Sequence, residues 1–314
     1  MAVPLPEQAQ VAVLLATLNG QNFLGQQLES IAQQTDADWH VYASDDGSRD
    51  DTLSLLQHYQ KSWGPHKLSI GQGPQRGFAA NFLSLACQPT ITADFYAYAD
   101  QDDIWYSDKL SRALQWFKSI PASQPALYCS RTCLLDAQGR PVGLSTLYSR
   151  PPSFPHALLQ VIAGGNTMVF NQAARHLLCT AGGSCEAFSH DWWTYLLVSG
   201  CGGTVFYDRT PTVGYRQHNH NVSGSNGAWL AKFTRAKKLL QGHLRHANAC
   251  NIRALQTMQT YLSLENRQLF QQFCAARDQQ GWLSRLLAMR RCQVYRQTYL
   301  DNLGLLVAIV LNKI

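Results

Sequence analysis

The sequence predicts an α/β fold: a doubly wound, mostly parallel sheet followed by a helical C-terminal appendage. Three observations carry that expectation. Between residues 11 and 120, short continuous apolar runs alternate with segments of helical period, the alternation that parallel βαβ units need. Several of those runs end abruptly in polar clusters, where ligands of such sheets bind. Beyond the Gly/Ser/Asn-rich stretch "NVSGSNG", Asn221 to Gly227, the chain turns basic and helical to its end.

The elements follow in order. "VAVLLAT", Val11 to Thr17, has the apolar continuity of a strand buried on both faces. Asn19-Gly20 breaks it, and "NFLGQQLESIAQQ" follows with Phe23, Leu24, Leu28 and Ile31 on one helical face. "HVYASDD" reads as a second strand and "DDTLSLLQHYQKS" as a helix with Asp50 as its N-cap. "KLSIG" and "FYAYA" are further strands around the helix "GFAANFLSLAC". A helix "SDKLSRALQWFKSI" then starts with Ser107 as the expected N-cap. "ALYCSRTCLLD" and "TMVFN" read as strands, "HDWWTYLLVSG" as a helix, and "GTVFYDRTPTVGYRQH" as a strand running into a loop. The expected division is a catalytic unit over 1–227, with halves at about 10–120 and 121–227, and a basic helical region over 228–314.

Composition narrows the class. An apolar fraction of 46% with 8 Trp supports a large core and argues against disorder. Residues 1–227 carry 13 Lys and Arg against 17 Asp and Glu, whereas 228–314 carry 13 against 3. A basic tail looks for an anionic partner. Its basic residues interleave with aliphatic and aromatic ones, as in "WLAKFTRAKKLLQGHLRHA" and "WLSRLLAMRRCQVYRQ", which suits an anionic membrane interface. The alternative is packing on protein with the basic faces outward, and no nucleic-acid-binding module is present. The 9 Cys are scattered without a CxxC pair, which favours free thiols in a reducing compartment over a zinc site or disulfide framework. No secretory signal is visible, and the longest apolar runs, such as "GLLVAIVL" from Gly304 to Leu311, are too short to span a bilayer. The expectation is a cytoplasmic protein, peripheral on the inner face of the cell membrane. A homo-oligomer stays open.

Three polar clusters close the predicted strands: Thr17-Leu18-Asn19, Asp45-Asp46, and Asp100 to Asp103 in "YADQDDIW". Three carboxylates in four residues repel one another and lose hydration if drawn inward. A Mg²⁺ or Mn²⁺ ion bridging to diphosphate oxygens resolves that, since these ions take one or two carboxylates and keep other positions for ligand. No Gly-x-Gly-x-x-Gly or Walker pattern follows the first strand to hold phosphate by backbone alone.

In order and spacing, "LLATLNGQNFLGQQLESIAQQT", "ASDDGSRDDT", "YADQDDIWYSDKL" and "HDWWTYLLVSGCGG" resemble the family 2 glycosyltransferases of the GT-A fold. "DQDDIW" and "YRQHNHNVSG" are most similar to the bacterial rhamnosyltransferase-like branch, which builds surface polysaccharides. The resemblance covers about residues 10–225. It implies that Ala16, Thr17, Leu18, Asn19 and Asp46 hold the nucleoside, with Leu18 where many members have Tyr. It implies that Arg76 and Asn81 pack beside the nucleotide, with Arg76 a partner of Asp46 or of phosphate. Asp100-Gln101-Asp102 matches the DXD motif: Asp102 would bind the metal, Asp100 the ribose or the metal through water, and Asp103 would orient the following helix. His218 would add a metal or diphosphate contact, and Arg216 a phosphate contact. Asp191 would be the general base of an inverting displacement, with His190 structural. The implied donor is a nucleoside-diphosphate sugar, dTDP-rhamnose favoured, and the acceptor a growing lipid-linked glycan.

Simpler readings stand beside these. Asp50 and Asp51 read as helix-start acids, Asp45 reads equally as structural or ligand-binding, and His220 as solvated. Gly164-Gly165-Asn166 is either an acceptor-side loop or a strand-entry turn, and Trp192 and Trp193 belong to the core or line the acceptor site. A sugar-nucleotide nucleotidyltransferase is a rival, but "ATLNGQN" lacks the basic residue of a triphosphate loop. A non-catalytic carbohydrate-binding protein on the same fold is the other rival.

Overall fold

The computed structural model describes residues 9–183, 185–218 and 243–314. The stretch Asn221 to Gly227, His220 and residues 229–242 of the expected basic helices lie outside the described residues.

One nine-stranded sheet organises the chain in the order β3-β2-β1-β4-β8-β6-β9-β5, with β7 paired to β6. Its first half is parallel: β1 (Gln10–Thr17) lies between β2 (Asp38–Asp45) and β4 (Phe95–Asp100), and β3 (Leu68–Gln72) edges β2. The second half is mixed. β8 (Val169–Asn171) runs antiparallel to both β4 and β6 (Ala126–Leu135), and β9 (Thr204–Arg216) runs parallel to β6. The two-residue β5 (Ile104–Trp105) and the hairpin strand β7 (Pro141–Leu144) complete it.

The alternation of side chains along β1 and β4 explains their apolar continuity. Val11, Val13, Leu15, Phe95, Ala97 and Ala99 face one core, shared with α1 (Leu24–Ala32), α2 (Thr52–Trp63) and α4 (Lys109–Phe117). Ala12, Leu14, Tyr96 and Tyr98 face the other, shared with α3 (Phe78–Ala86), α6 (Gln172–Ala181) and α7 (His190–Gly200). Both faces are covered, so polar residues have no place along these strands and collect at their ends. Each fully buried aliphatic or aromatic side chain stabilises such a core by roughly 1.5–3 kcal/mol.

The remaining helices are the short α5 (Phe154–Ala157), α8 (His243–Thr257), α9 (Leu264–Arg277), α10 (Trp282–Arg291) and α11 (Tyr299–Val310). Leu255, Met258, Phe270 and Phe273 of this region belong to the same core as Trp193 and Tyr98. The segment after α10 is also hydrogen-bonded to the middle of the chain. Gln297 Nε2 donates to the Arg150 carbonyl at 3.0 Å, and the Tyr295 hydroxyl to that of Pro151 at 2.9 Å.

Three local expectations change. Helix α4 begins after Asp108 rather than at Ser107, and its first turn is capped not by either residue but by Gln34 Oε1, which accepts from the Leu110 amide at 3.0 Å. Asp50 stands one residue before the N-cap of α2, yet its Oδ1 still accepts from the Thr52 amide at 3.1 Å, while Oδ2 accepts from Gln21. Phe23 precedes α1 instead of joining Leu24, Leu28 and Ile31 in the core; its ring stacks on His218, with centroids 4.9 Å apart. Trp192 and Trp193 are both buried, and the nine cysteines are free thiols.

Candidate functional site

The carboxyl ends of β1, β2 and β4, the start of α7 and the end of β9 surround one crevice. At its first wall, Leu18 and Gln101 clasp each other: the Leu18 amide donates to Gln101 Oε1 at 2.8 Å, and Gln101 Nε2 returns a bond to the Leu18 carbonyl at 2.9 Å. The clasp ties the end of β1 to the acidic loop and exposes the Leu18 side chain. Asn19 takes a left-handed conformation (φ 50°), a role short polar side chains fill readily. Its Oδ1 caps the Arg49 amide at 2.9 Å. Thr17 is buried and donates to Asp45 Oδ1 at 2.9 Å, and Ala16 lies in register with Asp100.

Asp45 and Asp46 form the second wall, and both are occupied by the protein itself. Asp45 accepts from Thr17 Oγ1, Ser48 Oγ, and the amides of Gly47 and Ser48. Asp46 accepts from the Gln75 amide at 2.6 Å and the Gly77 amide at 3.1 Å, gripping the backbone on either side of Arg76. Gly77 needs its left-handed φ of 87° there, which glycine alone adopts without penalty. Arg76 is left exposed at the lip, and no ion pair joins it to Asp46 among the described residues. Asn81 is buried, with its oxygen accepting from Ser44 Oγ at 2.6 Å and its nitrogen donating to the Ser44 carbonyl at 2.9 Å. It sets α3 against β2.

The third wall is the acidic loop. Tyr96, Tyr98 and Asp100 share one face of β4, and the Tyr98 hydroxyl meets Thr194 Oγ1 of α7 at 3.1 Å. That bond locks β4 to α7, and the strand's period turns Asp100 toward the helix start that carries Asp191. Burial first, then the charges of Asp103, Asp102 and Asp191, push the Asp100 carboxyl well above the usual range. Asp102 is partly exposed and meets His218 Nε2 through Oδ2 at 2.7 Å. Asp103 is fully buried and turned away from them, accepting from the Arg216 amide at 3.2 Å and from Asn166 Nδ2. Its burial, and Asp102 beside it, raise its pKa to about 7.

A buried cation completes this wall. Lys109 is wholly buried, donates to the Asn166 carbonyl at 2.7 Å and lies 4.3 Å from the centre of the Trp105 ring. Burial lowers its pKa to about 7 against the opposing pull of Asp103 and Asp100. Asn166 therefore joins the lysine through its carbonyl and Asp103 through its amide. Lys109 carried no functional expectation in the sequence. The signal was its spacing: Lys109, Ala113 and Phe117 lie one turn apart on the buried face of α4. Arg216 is also buried, with Nε on the Asp102 carbonyl at 3.0 Å and Nη1 on that of Ala137 at 3.0 Å. Its guanidinium lies 4.8 Å from the Phe23 ring. It braces the loop from beneath, rather than reaching into the crevice for phosphate.

Opposite stands Asp191, in the first turn of α7. Oδ1 accepts from Ser189 Oγ at 2.5 Å and from the Trp192 amide at 2.7 Å. These bonds orient the carboxylate without using Oδ2. His190 beside it is buried, stacked on Phe82 at 4.0 Å, and its pKa falls to about 4 through desolvation. Both of its ring nitrogens are buried without a hydrogen-bond partner among the described residues.

The donor set suits a hard divalent cation. Asp102 and His218 already meet through the two atoms such an ion would join, and Asp100 is their half-buried neighbour. Among the described residues no group of three His, Cys, Asp or Glu side chains is placed to hold a metal ion, so of the expected set Asp100, Asp102 and His218 only Asp102 and His218 are brought into contact. A pair of that kind leaves most positions of a Mg²⁺ or Mn²⁺ ion to phosphate and water.

Comparison with known proteins agrees with this architecture. The family model for Glycosyl transferase family 2 matches residues 12–175. Over 229 residues, 70% of this chain and 77% of the relative, the sequence is 28% identical to dTDP-rhamnosyl transferase RfbG of Shigella flexneri. It is 28% identical over 130 residues to GalNAc(5)-diNAcBac-PP-undecaprenol beta-1,3-glucosyltransferase of Campylobacter jejuni, covering 41% of this chain and 40% of that one. The fold matches S. aureus TarS 1-349 in complex with UDP-GlcNAc with a TM-score of 0.56 at 14% identity, over 97% of this chain and 88% of that one. It matches the mannosyltransferase PcManGT from Pyrobaculum calidifontis, in complex with GDP-Man and Mn²⁺, with a TM-score of 0.51 at 16% identity, over 99% and 88%.

Proposed function

This chain belongs to glycosyl transferase family 2 and is a glycosyltransferase of the GT-A fold; on that premise we propose that it transfers a sugar, with inversion, from a nucleoside-diphosphate donor to a glycan hydroxyl. The observation that carries the proposal is the convergence of two acidic groups across one crevice. The Tyr98–Thr194 hydrogen bond fastens β4 to α7, so the acids ending the strand face the acid opening the helix.

Asp191 is the base in this reading. Ser189 and the Trp192 amide fix one of its oxygens and leave Oδ2 to receive the acceptor's proton. The acceptor oxygen forms its bond to the anomeric carbon as the bond from that carbon to the diphosphate oxygen breaks. One displacement inverts the centre. Asp102 and His218, with Asp100 beside them, would hold Mg²⁺ or Mn²⁺, which when bound offsets the negative charge of the departing nucleoside diphosphate. Ala16, Thr17, Leu18, Asn19 and Gln101 form the wall where the nucleoside rests. Asp46 acts through the loop it grips, presenting Arg76 at the lip, and Asn81 acts by setting α3 through Ser44.

The resemblance to a dTDP-rhamnosyl transferase favours dTDP-rhamnose as donor. A relative whose name specifies an undecaprenol-linked acceptor favours a lipid-linked glycan. No helix among the described residues is long and apolar enough to cross a membrane. In this reading the protein meets such an acceptor at the inner membrane face.

A panel of nucleotide sugars, assayed for Mn²⁺-dependent turnover by the wild type and by Asp191→Asn, tests the assignment. The variant should bind donor normally and turn over ~10²–10⁴-fold more slowly, the scale of general-base loss. Turnover at the wild-type rate would exclude Asp191 as the base.

A further inference from the structure

Ten of the twenty exposed large apolar side chains among the described residues lie between Trp282 and Leu311, on α10, α11 and the residue that follows. They are not awaiting a core, because the inner faces of these helices are already packed. Met289, Leu305, Ala308 and Ile309 are buried in the main core. Arg285, only 3% exposed, lashes the two helices together by donating to the carbonyls of Ile309 at 2.6 Å and Val310 at 3.1 Å. The outward residues therefore form a rigid face. On α11 Leu300, Leu303, Val307 and Val310 fall on one stripe, and α10 adds Trp282 and Leu287.

The charge around the face selects its occupant. Arg290 and Arg291 are exposed at the end of α10. The only acid from residue 282 onward, Asp301, accepts from Thr298 Oγ1 at 2.7 Å and neighbours Arg296. A second copy seated isologously would bring these arginines toward one another. An anionic lipid surface would accept both the apolar stripe and the cations, with Trp282 at the depth aromatic rings favour. We infer that the α10–α11 face docks this enzyme flat on an anionic bilayer. The docking rests on the lipid-linked-acceptor reading for its purpose. The run from Gly304 to Leu311, too short to span, is suited to lie in the interface.

The face is coupled to the acceptor side. Tyr295 and Gln297, between α10 and α11, bond to the 150–160 segment, and Ala157 in that segment accepts from Trp192 Nε1 of α7 at 2.6 Å. Docking would thus hold Asp191 in a set orientation to the membrane.

Co-sedimentation of the full chain with phosphatidylglycerol/phosphatidylethanolamine vesicles, against neutral phosphatidylcholine vesicles, tests the inference. Wild type should prefer the anionic vesicles by roughly tenfold or more, and L303E/V307E should lose most of that binding. R290Q/R291Q should weaken anionic binding about fivefold per charge and flatten its salt dependence. Circular dichroism melts confirm that the variants fold, since all four positions are exposed. Undiminished vesicle binding by L303E/V307E would overturn the proposal. So would a wild-type dimer that binds no vesicles and is split by L303E/V307E, which would assign the face to a second copy. Donor turnover by the same proteins is a separate readout: its absence with vesicle binding intact would count against sugar transfer and leave the face standing.

Discussion

Two acidic pairs end neighbouring parts of one sheet edge and do opposite work. Asp45 and Asp46 accept hydrogen bonds from Thr17, Ser48 and four backbone amides. They need no counterion because oriented N–H and O–H groups satisfy them. Asp102 and Asp103 have a different environment: one faces the crevice with His218, the other is buried beside Asn166 and Lys109. Saturated carboxylates shape a loop, and partly open ones keep capacity for a ligand. The same residue type in similar sequence surroundings thus yields a scaffold in one case and a candidate reactive wall in the other.

Removing the cation that only the second pair possesses should strain this contrast most. Lys109→Met leaves buried acids without compensation, and denaturant unfolding should show a loss of about 3–5 kcal/mol. Adding Asp103→Asn should recover part of that loss; no recovery would break the link between lysine and acid. Asp102→Ala comes next. Isothermal titration should show donor affinity in Mn²⁺ falling by roughly 100-fold, with the melting temperature unchanged or raised as repulsion is relieved. Unchanged Mn²⁺-dependent affinity would remove Asp102 from the metal site. Asp45→Asn should be the mildest, costing about 1–2 kcal/mol of stability while donor affinity holds, because it loses charge-assisted bonds within a loop. A large drop in affinity without destabilisation would erase the distinction between the two pairs.

Much of this was legible in the sequence, and the failures have physical reasons. β1, β4 and α7 are long apolar runs with sharp polar ends, so period and punctuation place them. Asp100 and Asp102 stood out because adjacent carboxylates at a strand end have few structural rationales, whereas Asp191, an ordinary helix-start acid by position, stood out only through the resemblance of the segment that carries it. Phe23 was misplaced because an aromatic residue next to a helix continues its apolar face on paper, while the chain turns it toward His218. Arg216 reads as a phosphate ligand in sequence, yet its carbonyl partners on Asp102 and Ala137 arise only from folding. The clasp between Leu18 and Gln101 likewise depends on parallel pairing of β1 with β4. The apolar stripe of α11 was visible as a run too short to span, but which of its residues face outward is a tertiary fact.

Asn166 has a mechanical consequence. Its carbonyl holds Lys109 and its amide holds Asp103, so one side chain and its backbone rivet the acidic loop to the turn before β8. Parting those segments would strand a lysine and an acid in an apolar interior, which costs several kcal/mol. The floor of the crevice behaves as an anvil rather than a hinge. In the proposed reaction it would therefore meet its substrates already formed.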